Sequence, residues 1–379
     1  MNGFIKDKVH LKKICIVTAA RSEYGVLHWV IDEVNNDNEL DLQLIVTGAH
    51  LSSEQGFTYK FIEQDGYTIS AKVDMHLTSD DKANLVRSMG KCSEGFADVF
   101  EDLKPDLVVV LGDRYELLPI VSAALVMRIP IAHISGGDVT EGAIDDEVRN
   151  AVSMMSTLHF PGVVDSAKNL YRMLGTNNNV FAVGEPGLDS FLRYDLWDKE
   201  TTAKELNLDV HKKWCLVTLH PETKIPLEEN IKMVQSLYVS MLQTNDIQFV
   251  ITKANTDAGG AAINEFWSEV ASKNPSVQLY ASLGQIRYLS FMKHADMVIG
   301  NSSSGIIEAP FMGTPVVNIG DRQKGRHICK NVICCGRSQE EITKAIFKAD
   351  NAERIIDTYW GDGHSSERIV AEIKKYLLS

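Results

Sequence analysis

Residues 297–326 read MVIGNSSSGIIEAPFMGTPVVNIGDRQKGR, and this stretch decides the fold. Two short runs rich in Val and Ile, MVIG and PVVNIG, stand on either side of a longer segment that can form a helix. Such runs are typical of parallel strands that are covered on both faces. The stretch therefore predicts a strand that ends at Gly300, a tight loop, a helix that begins at Ile306 and a further strand.

The same alternation continues in both directions along the chain. Six apolar runs precede a polar segment near residues 185–212, namely KICIVTA, LQLIVTG, DLVVVLG, IPIAHIS, TLHF and NVFAVG. Six more belong to the second half, namely WCLVTLH, IQFVITK, VQLYASL, MVIGNSS, PVVNIG and NVICC. Helical patterns lie between them, such as GVLHWVIDEVNN, NIKMVQSLYVSMLQ and QEEITKAIFKAD. We expect an α/β protein with two Rossmann-like doubly wound domains and a central cleft.

The polar segment sets the predicted domain boundary. Residues 1–187 are expected to form the N-terminal domain and residues 188–365 the C-terminal domain, while a helix over residues 366–379 packs back on the first. Ligands of doubly wound sheets bind beyond the carboxyl ends of the strands. Residues that directly follow a strand are therefore the candidates for function.

The composition and net charge of the chain limit the kinds of molecule that it is expected to bind. The 379 residues are 44% hydrophobic and 23% charged, with a formal net charge of −13. This negative charge disfavours nucleic acids and acidic membranes as partners, because both are polyanions. No apolar run approaches the roughly 20 residues that span a bilayer. The six cysteines show no paired framework and no metal-type spacing, so we expect a cytoplasmic protein.

The loop after Gly300 suits a phosphate group. A helix N-terminus presents unpaired N–H groups and a partial positive charge, small residues let the backbone approach an anion, and serine hydroxyls add donors. Glu308, near the start of the helix, can accept both hydroxyls of a ribose. The alternative is an ordinary serine-rich helix cap with a solvated glutamate. The loop residues are Asn301, Ser302, Ser303, Ser304 and Gly305.

Three cations follow the strand PVVNIG within the sequence DRQKGR, residues 321–326. Arg322, Lys324 and Arg326 suit a diphosphate, or the charge that develops as it departs. The alternative is a solvated charge run.

In the first domain, KICIVTAARSEYG places Arg21 and Glu23 after the first strand, where Arg21 is expected to contact a phosphate.

Neither a dinucleotide-binding fingerprint nor a Walker A sequence occurs in the chain. We therefore expect no NAD or ATP chemistry, no cofactor and no metal. The candidate partner is a small anionic molecule.

Carboxylates gather at two adjacent strand ends of the first domain. Asp113 follows the strand DLVVVLG, although a capping role for it is the alternative. The next strand ends at His133 and leads into SGGDVTEGAIDDEVR. Clustered carboxylates raise each other's pKa, which suits acid–base work. The carboxylates of this loop are Asp138, Glu141, Asp145 and Asp146.

Polar residues also follow the first two strands of the second domain. His220 ends WCLVTLH, and a functional role is favoured over a structural one because it lies at a strand end like the anion loop. Lys253, Asn255 and Asp257 follow the next strand and suit the hydroxyls of a nucleotide or a sugar.

Seven segments, in this order, resemble the hydrolysing UDP-N-acetylglucosamine 2-epimerase family of sialic-acid biosynthesis. They are TAARSEYG, TGAHL, GDRYE, HISGGDVTEGAIDD, LHPET, GNSSSGIIE and GDRQKGR. The resemblance implies UDP binding by the second domain, through Ser302, Ser303, Glu308 and Arg322. It places Arg21 and His220 near the diphosphate, and it implies Asp113 and Asp145 as catalytic carboxylates. A homo-oligomer, dimer or tetramer, is also expected.

One position departs from the family pattern. Many members carry Glu two residues after the histidine of the strand end, where this chain has Ser135, and the loop here is one residue longer. Glu141 or Asp138 is expected to supply the missing carboxylate, with Glu141 preferred.

The resemblance implies conversion of UDP-N-acetylglucosamine into UDP and N-acetylmannosamine. Anti elimination of UDP gives a 2-acetamidoglucal, which water then hydrates, so two proton-transfer groups on opposite faces and a cationic cradle for UDP are needed. The alternatives are a hydrolysing epimerase of UDP-N,N'-diacetylbacillosamine, a non-hydrolysing epimerase, a GT-B glycosyltransferase and a nucleotide-sugar-binding regulator.

Overall fold

The computed structural model describes residues 11–53, 56–77, 82–140, 144–244, 246–254 and 259–379. The chain divides into two compact units. Unit 1 comprises the chain up to Gly137, Glu147–Gly187 and His364–Ser379, and unit 2 comprises Asp138–Asp146 and Leu188–Gly363. The loop Asp138–Asp146 thus belongs to unit 2 although unit 1 precedes and follows it.

Each unit contains one six-stranded parallel sheet. The strands are β1 (Lys12–Thr18), β2 (Leu40–Thr47), β3 (Ile69–Val73), β4 (Leu107–Leu111), β5 (Ile131–Ile134), β6 (Leu158–Phe160), β7 (Lys213–Thr218), β8 (Ile247–Thr252), β9 (Val277–Tyr280), β10 (Met297–Gly300), β11 (Val316–Ile319) and β12 (Val332–Cys335). The order is β3-β2-β1-β4-β5-β6 in unit 1 and β12-β11-β10-β7-β8-β9 in unit 2. Both are the Rossmann order, because the order in unit 2, read from β9 to β12, matches the order in unit 1, read from β3 to β6.

Helices connect the strands and cover the sheets. They are α1 (Arg21–Asn36), α2 (Tyr59–Gln64), α3 (Lys82–Leu103), α4 (Leu117–Val126), α5 (Asp145–Met155), α6 (Val164–Leu174), α7 (Ser190–Arg193), α8 (Lys199–Leu206), α9 (Leu227–Met241), α10 (Gly260–Lys273), α11 (Gln285–His294), α12 (Ser303–Phe311), α13 (Gln339–Asp350) and α14 (Ser365–Leu378). In the part of the chain that the structure describes, no helix combines the length and the apolar character that crossing a membrane requires.

Burial on both faces explains why the strands are continuous Val/Ile/Leu runs. Every residue of β4, LVVVL, is buried. In β1, Ile14 and Ile16 belong to one hydrophobic core while Cys15 and Val17 belong to another on the opposite face. Alternate side chains of a strand point to opposite faces, so a sheet covered by helices on both sides needs apolar residues at every position.

Helix α14 lies in unit 1. Ile369, Val370 and Ile373 share the core that contains Ile14 and Ile16. The Lys374 Nζ atom lies 2.6 Å from Oδ2 of Asp37, directly after α1. The last helix of the chain therefore packs against the first.

The prediction of two Rossmann-like sheets is confirmed, with two local errors. NVFAVG is not a strand of the sheet, and β3, ISAKV, takes the sixth place in unit 1. Strand β3 was missed because it is an edge strand whose buried and exposed residues alternate. Helix α12 begins at Ser303 rather than Ile306, because Ser302 already caps it.

Candidate active site

The loop between β10 and α12 depends on two features of its sequence. Gly300 has φ +147°, and a Cβ atom there would lie 1.9 Å from the carbonyl oxygen of Thr218, so no side chain fits. Asn301 then ties the loop to β7: its Oδ1 accepts from His220 N at 2.7 Å, and its Nδ2 donates to His220 O at 2.9 Å. The start of α12 is thereby held beside the carboxyl end of β7.

Serine hydroxyls and a carboxylate follow along α12. Ser302 is the N-cap, and its hydroxyl accepts from Ser304 N at 3.3 Å, so the capping interpretation describes this residue. Tyr288 donates to the Ser304 hydroxyl at 2.9 Å. Burial raises the pKa of Glu308, and a hydrogen bond from Ser304 opposes this shift. Ser303 and Gly305 lie in the first turn, where Gly305 N donates to Ser302 O at 3.2 Å.

Arg322 lies beside the same loop and faces His220. Its Nη1 donates to Asn301 O at 3.1 Å, and Gln323 donates to the same oxygen at 3.0 Å. Burial lowers the pKa of His220 to about 3, and the charge of Arg322 contributes to this shift. The imidazole is therefore neutral near pH 7, and Arg322 carries the positive charge at this edge.

An ion-pair network that the sequence analysis missed lies next to this loop. The buried Glu222 accepts from Asp321 N at 2.9 Å and from Arg337 Nη2 at 2.5 Å. Gly320 leaves room for it, since a Cβ atom there would lie 2.0 Å from Oε1 of Glu222. The network fixes the backbone just before Arg322. A glutamate after LHP at a strand end was the available signal for it.

In unit 1, Asp113 follows β4 and its Oδ2 pairs with Nη2 of Arg149 on α5. Arg149 is only 1% exposed, so this is an almost fully desolvated cation. Sequence reasoning missed Arg149, although an arginine between Val148 and Val152 on the apolar face of a helix requires a buried anion. The pair positions the Asp113 carboxylate at the carboxyl end of β4.

His133, in β5, forms a hydrogen bond to the loop after β4 that carries Asp113. Its Nε2 donates to Gly112 O at 2.7 Å, so the tautomer leaves Nδ1 to accept from the Ser153 hydroxyl at 3.0 Å. Burial lowers the pKa of His133 to about 4. The neutral ring therefore positions the backbone that precedes Asp113.

A second buried cluster lies at the carboxyl ends of β1 and β4. Arg114 Nη2 donates to Glu116 Oε1 at 2.6 Å, and Arg114 Nε lies 3.6 Å from Glu23 Oε1. Burial raises the pKa of Glu23 to about 7, against the lowering effect of Arg114, while Glu116 and Asp113 raise it further. The other oxygen of Glu23 accepts from Ala19 N at 2.7 Å. Glu23 is thus close to half protonated at neutral pH, and it also holds the backbone just before α1.

Arg21 begins α1 at the end of β1, and its guanidinium lies 4.9 Å from the centroid of the Phe61 ring. Burial lowers the pKa of Arg21. The cation–π contact holds the side chain close to the strand end.

The loop after β5 begins with Ser135, whose φ is +59° and whose hydroxyl donates to Oε2 of Glu185 at 2.8 Å. Within unit 2, the Asp138 carboxylate lies 3.8 Å from Arg326. Asp145 is the first residue of α5, and Asp146 accepts from Thr140 N at 2.6 Å. The predicted site residues Glu141, Asn255 and Asp257 lie outside the described residues.

The predicted residues thus fall into two groups. The structure brings Ser302, Ser304, Arg322 and His220 together at the strand ends of unit 2, with Ser303, Gly305 and Glu308 on the same helix. It places Arg21 and Asp113 at the strand ends of unit 1. Among the described residues, no group of three or more His, Cys, Asp or Glu side chains could hold a metal ion.

The two six-stranded parallel sheets with their flanking helices form a GT-B-like fold. The family model described as UDP-N-acetylglucosamine 2-epimerase matches residues 32–374. The chain belongs to the hydrolysing UDP-N-acetylglucosamine 2-epimerase family, as the sequence motifs indicated.

Two relatives and one solved structure support this assignment. The GDP/UDP-N,N'-diacetylbacillosamine 2-epimerase (hydrolyzing) of Campylobacter jejuni is 42% identical over 323 residues, 85% of this chain and 84% of the relative. The UDP-N,N'-diacetylbacillosamine 2-epimerase (hydrolyzing) of Legionella pneumophila is 33% identical over 366 residues, 96% of each chain. The crystal structure of UDP-GlcNAc 2-epimerase from Neisseria meningitidis bound to UDP-GlcNAc matches in fold with a TM-score of 0.80 at 20% identity, over 96% of this chain and 100% of that one.

Proposed function

We propose that this protein hydrolyses nucleotide-linked N,N'-diacetylbacillosamine with inversion at C2, and releases the nucleoside diphosphate and the free 2-epimer. The observation that carries this proposal is the 42% identity with the Campylobacter jejuni relative, whose name states that activity. The Legionella pneumophila relative adds independent support. The sequence analysis preferred UDP-N-acetylglucosamine, and these relatives favour its stated alternative instead.

In this proposal unit 2 binds the nucleotide. The first turn of α12 offers backbone N–H groups to the diphosphate, and the Ser302 and Ser304 hydroxyls lie beside them. Arg322 supplies positive charge at the same strand end, where His220 is neutral. Glu308, half-buried on α12, accepts the ribose hydroxyls. Charge that develops on the departing diphosphate is stabilised by Arg322 and by the helix.

Unit 1 supplies the proton-transfer chemistry in the same proposal. The hydrogen at C2 is only weakly acidic because no carbonyl group is adjacent to it, so its removal must accompany cleavage of the C1–O bond. Asp113, paired with Arg149, is the base. The C2–H electron pair forms the C1=C2 bond, and the C1–O pair leaves with the diphosphate. Water then adds at C1 while a proton reaches C2 from the opposite face.

A second candidate is UDP-N-acetylglucosamine. The polysialic acid biosynthesis protein P7 of Escherichia coli is 33% identical over 316 residues, and the UDP-N-acetylglucosamine 2-epimerase of Neisseria meningitidis is 26% identical over 372. The two sugars have the same configuration at C1 and C2 and differ at C4 and C6. The chemistry above is therefore the same for both.

A direct competition separates the candidates. The protein is incubated with equal amounts of UDP-N,N'-diacetylbacillosamine, GDP-N,N'-diacetylbacillosamine and UDP-N-acetylglucosamine, and products are followed by NMR. We expect a diacetylbacillosamine nucleotide to be consumed first, with at least a tenfold preference in kcat/KM, about 1.4 kcal/mol. Preferential consumption of UDP-N-acetylglucosamine would reject the proposed substrate and leave the reaction type intact.

A further inference from the structure

A buried carboxylate that no sequence motif singled out lies at the carboxyl ends of β5 and β6. Glu185 is 6% exposed, and its Oε2 accepts a hydrogen bond of 2.8 Å from the hydroxyl of Ser135. Ser135 directly follows β5, so the Glu185 carboxylate occupies the strand end at which many family members carry a glutamate of their own.

The segment NVFAVG, residues 179–184, brings Glu185 to this place. It runs beside β6 with backbone hydrogen bonds from Phe181 N to His159 O at 2.9 Å and from Gly184 N to Gly162 O at 2.9 Å. Only His159 and Val180 form a bridge of the sheet type. The segment therefore acts as an extension of the sheet edge, and the residue that follows it emerges at the same edge as Ser135.

Two backbone features accommodate the contact. A Cβ atom at Gly162 would lie 2.0 Å from Oε1 of Glu185, so a side chain there would displace the carboxylate. Ser135 adopts φ +59°, a region that residues other than glycine seldom adopt. Both features place the Ser135 hydroxyl and the Glu185 carboxylate against each other.

Asp113 and the Glu185 carboxylate lie at neighbouring strand ends. Asp113 follows β4, and Ser135, which contacts Glu185, follows β5, which pairs with β4. Adjacent strands are about 4.8 Å apart, so the two carboxylates lie close enough to contact one sugar ring.

From this placement we propose that Glu185 delivers the proton to C2 in the second half of the reaction, and that Ser135 is its positioning residue. The proposal rests on the hydrolytic 2-epimerase function stated above. The Glu185 carboxyl group gives its proton to C2, and the C1=C2 electron pair forms the new C2–H bond. Water bonds to C1 through oxygen and returns its own proton to the Glu185 carboxylate. The added atoms sum to one water, and the carboxyl group is restored.

This proposal replaces the expectation that Glu141 or Asp138 supplies the missing carboxylate. Glu141 lies outside the described residues, and the Asp138 carboxylate faces Arg326 within unit 2. Glu185, by contrast, contacts Ser135 itself.

The decisive variant is Glu185→Gln, which keeps the shape and an oxygen acceptor for Ser135. We expect elimination to continue, so that UDP appears together with the unsaturated 2-acetamido glycal, while formation of the epimerised sugar falls roughly 10²–10⁴-fold. UDP affinity by calorimetry and the unfolding temperature stay near the wild-type values. A role in folding alone would lower both without releasing glycal.

Three further variants test the assignment independently. Gly162→Ala displaces the carboxylate without removing it and is expected to release glycal too, whereas Gly90→Ala in α3, with open space around its Cβ, stays normal. Ser135→Ala retains the carboxylate and loses less than about tenfold in turnover. Ser135→Glu combined with Glu185→Gln restores a carboxylate and is expected to recover at least tenfold over Glu185→Gln.

The outcomes distinguish this inference from the function on which it rests. If the wild-type protein releases no diphosphate from any of the three nucleotide sugars, the proposed function fails and this inference with it. If the wild type is active and Glu185→Gln forms epimerised sugar at the same rate, only the role of Glu185 is overturned. If Glu185→Gln does not fold, Gly162→Ala decides: release of glycal supports the role of Glu185, and epimerised sugar at the wild-type rate without glycal overturns it.

Discussion

Units 1 and 2 share one strand order but have different chemistry at the carboxyl ends of their strands. In unit 1 those ends carry the carboxylates Asp113, Glu23 and Glu185, of which Glu23 and Glu185 are buried and two lie beside arginines. In unit 2 they carry amides, hydroxyls, a neutral imidazole and Arg322, and the buried Glu222 there is paired with Arg337.

The difference shows that the residues after the strands determine the chemistry, while the strands determine only where those residues meet. Burial raises the pKa of Glu23 to about 7 in unit 1 and lowers that of His220 to about 3 in unit 2. In both side chains burial favours the neutral form, which is the acid of Glu23 and the uncharged imidazole of His220. Unit 1 therefore contains groups that can exchange protons near neutral pH, and unit 2 presents donors to an anion.

The largest effect is expected from Asp113→Asn, which removes the proposed base from unit 1. The turnover number should fall roughly 10²–10⁴-fold, because an amide cannot take the C2 proton. UDP affinity, measured by calorimetry, should stay within a few-fold of wild type because the nucleotide contacts lie in unit 2.

Asp113→Asn also leaves Arg149 without its charged partner, so thermal unfolding must be recorded for the same sample. Turnover near the wild-type level would leave Asp113 with a structural role only, as the ion-pair partner of Arg149. A loss of UDP binding equal to the loss of turnover would contradict the division of roles between the units.

In unit 2, Gly300→Ala should damage nucleotide binding through the backbone. The new methyl group would lie 1.9 Å from Thr218 O, and the φ of +147° is one that alanine avoids. We expect a loss of about 3 kcal/mol in unfolding free energy and weaker UDP binding. Gly90→Ala, in an open position on α3, is the control and should be neutral or slightly stabilising. A stable Gly300→Ala protein with normal UDP affinity would contradict the role given to this loop.

A smaller effect is expected from Glu308→Ala, also in unit 2. Losing both ribose contacts should cost roughly 1.5–3 kcal/mol in UDP binding, about 10–150-fold in Kd. Glu265→Ala, exposed on α10, serves as the matched control. Unchanged calorimetric affinity in Glu308→Ala would remove Glu308 from the nucleotide site.

The smallest effect per residue is the pH dependence of stability. Burial lowers the pKa of His50, His133 and His159 to about 4. The unfolded chain therefore binds more protons below pH 6.5, and stability falls as pH falls, by about 2 kcal/mol per histidine at pH 5. Glu23 acts in the opposite direction, because its raised pKa favours the folded state as pH falls from 7 towards 4.5.

Thermal unfolding of the wild type should therefore shift to lower temperature between pH 7 and pH 5. His133→Asn should reduce this shift, whereas His211→Gln at an exposed position should not. An unfolding temperature independent of pH over this range would contradict the buried neutral state of these rings.

Local sequence patterns were sufficient to predict most of the fold. Strands such as LVVVL and the helix QEEITKAIFKAD have apolar patterns that match their burial, so they could be identified without tertiary information. The edge strand ISAKV and the strand-like NVFAVG were confused, because only the position in the sheet separates them.

The candidate site was predicted only in part, because its contacts join residues far apart in the chain. Asp113 was identified from its strand end, but its partner Arg149 lies 36 residues away. Ser135 was recognised as a departure from the family pattern, but Glu185 lies 50 residues further on. Which side chain fills a given space depends on packing of the folded chain, and a single sequence does not display it.

Incubation with UDP-N,N'-diacetylbacillosamine alone in deuterated water tests the central claim most directly. We predict free UDP together with a sugar that is inverted at C2 and carries one deuterium at that carbon, as read by proton NMR. Release of UDP with an unlabelled sugar would contradict proton exchange at C2. A product that remains linked to UDP would contradict the hydrolytic reaction.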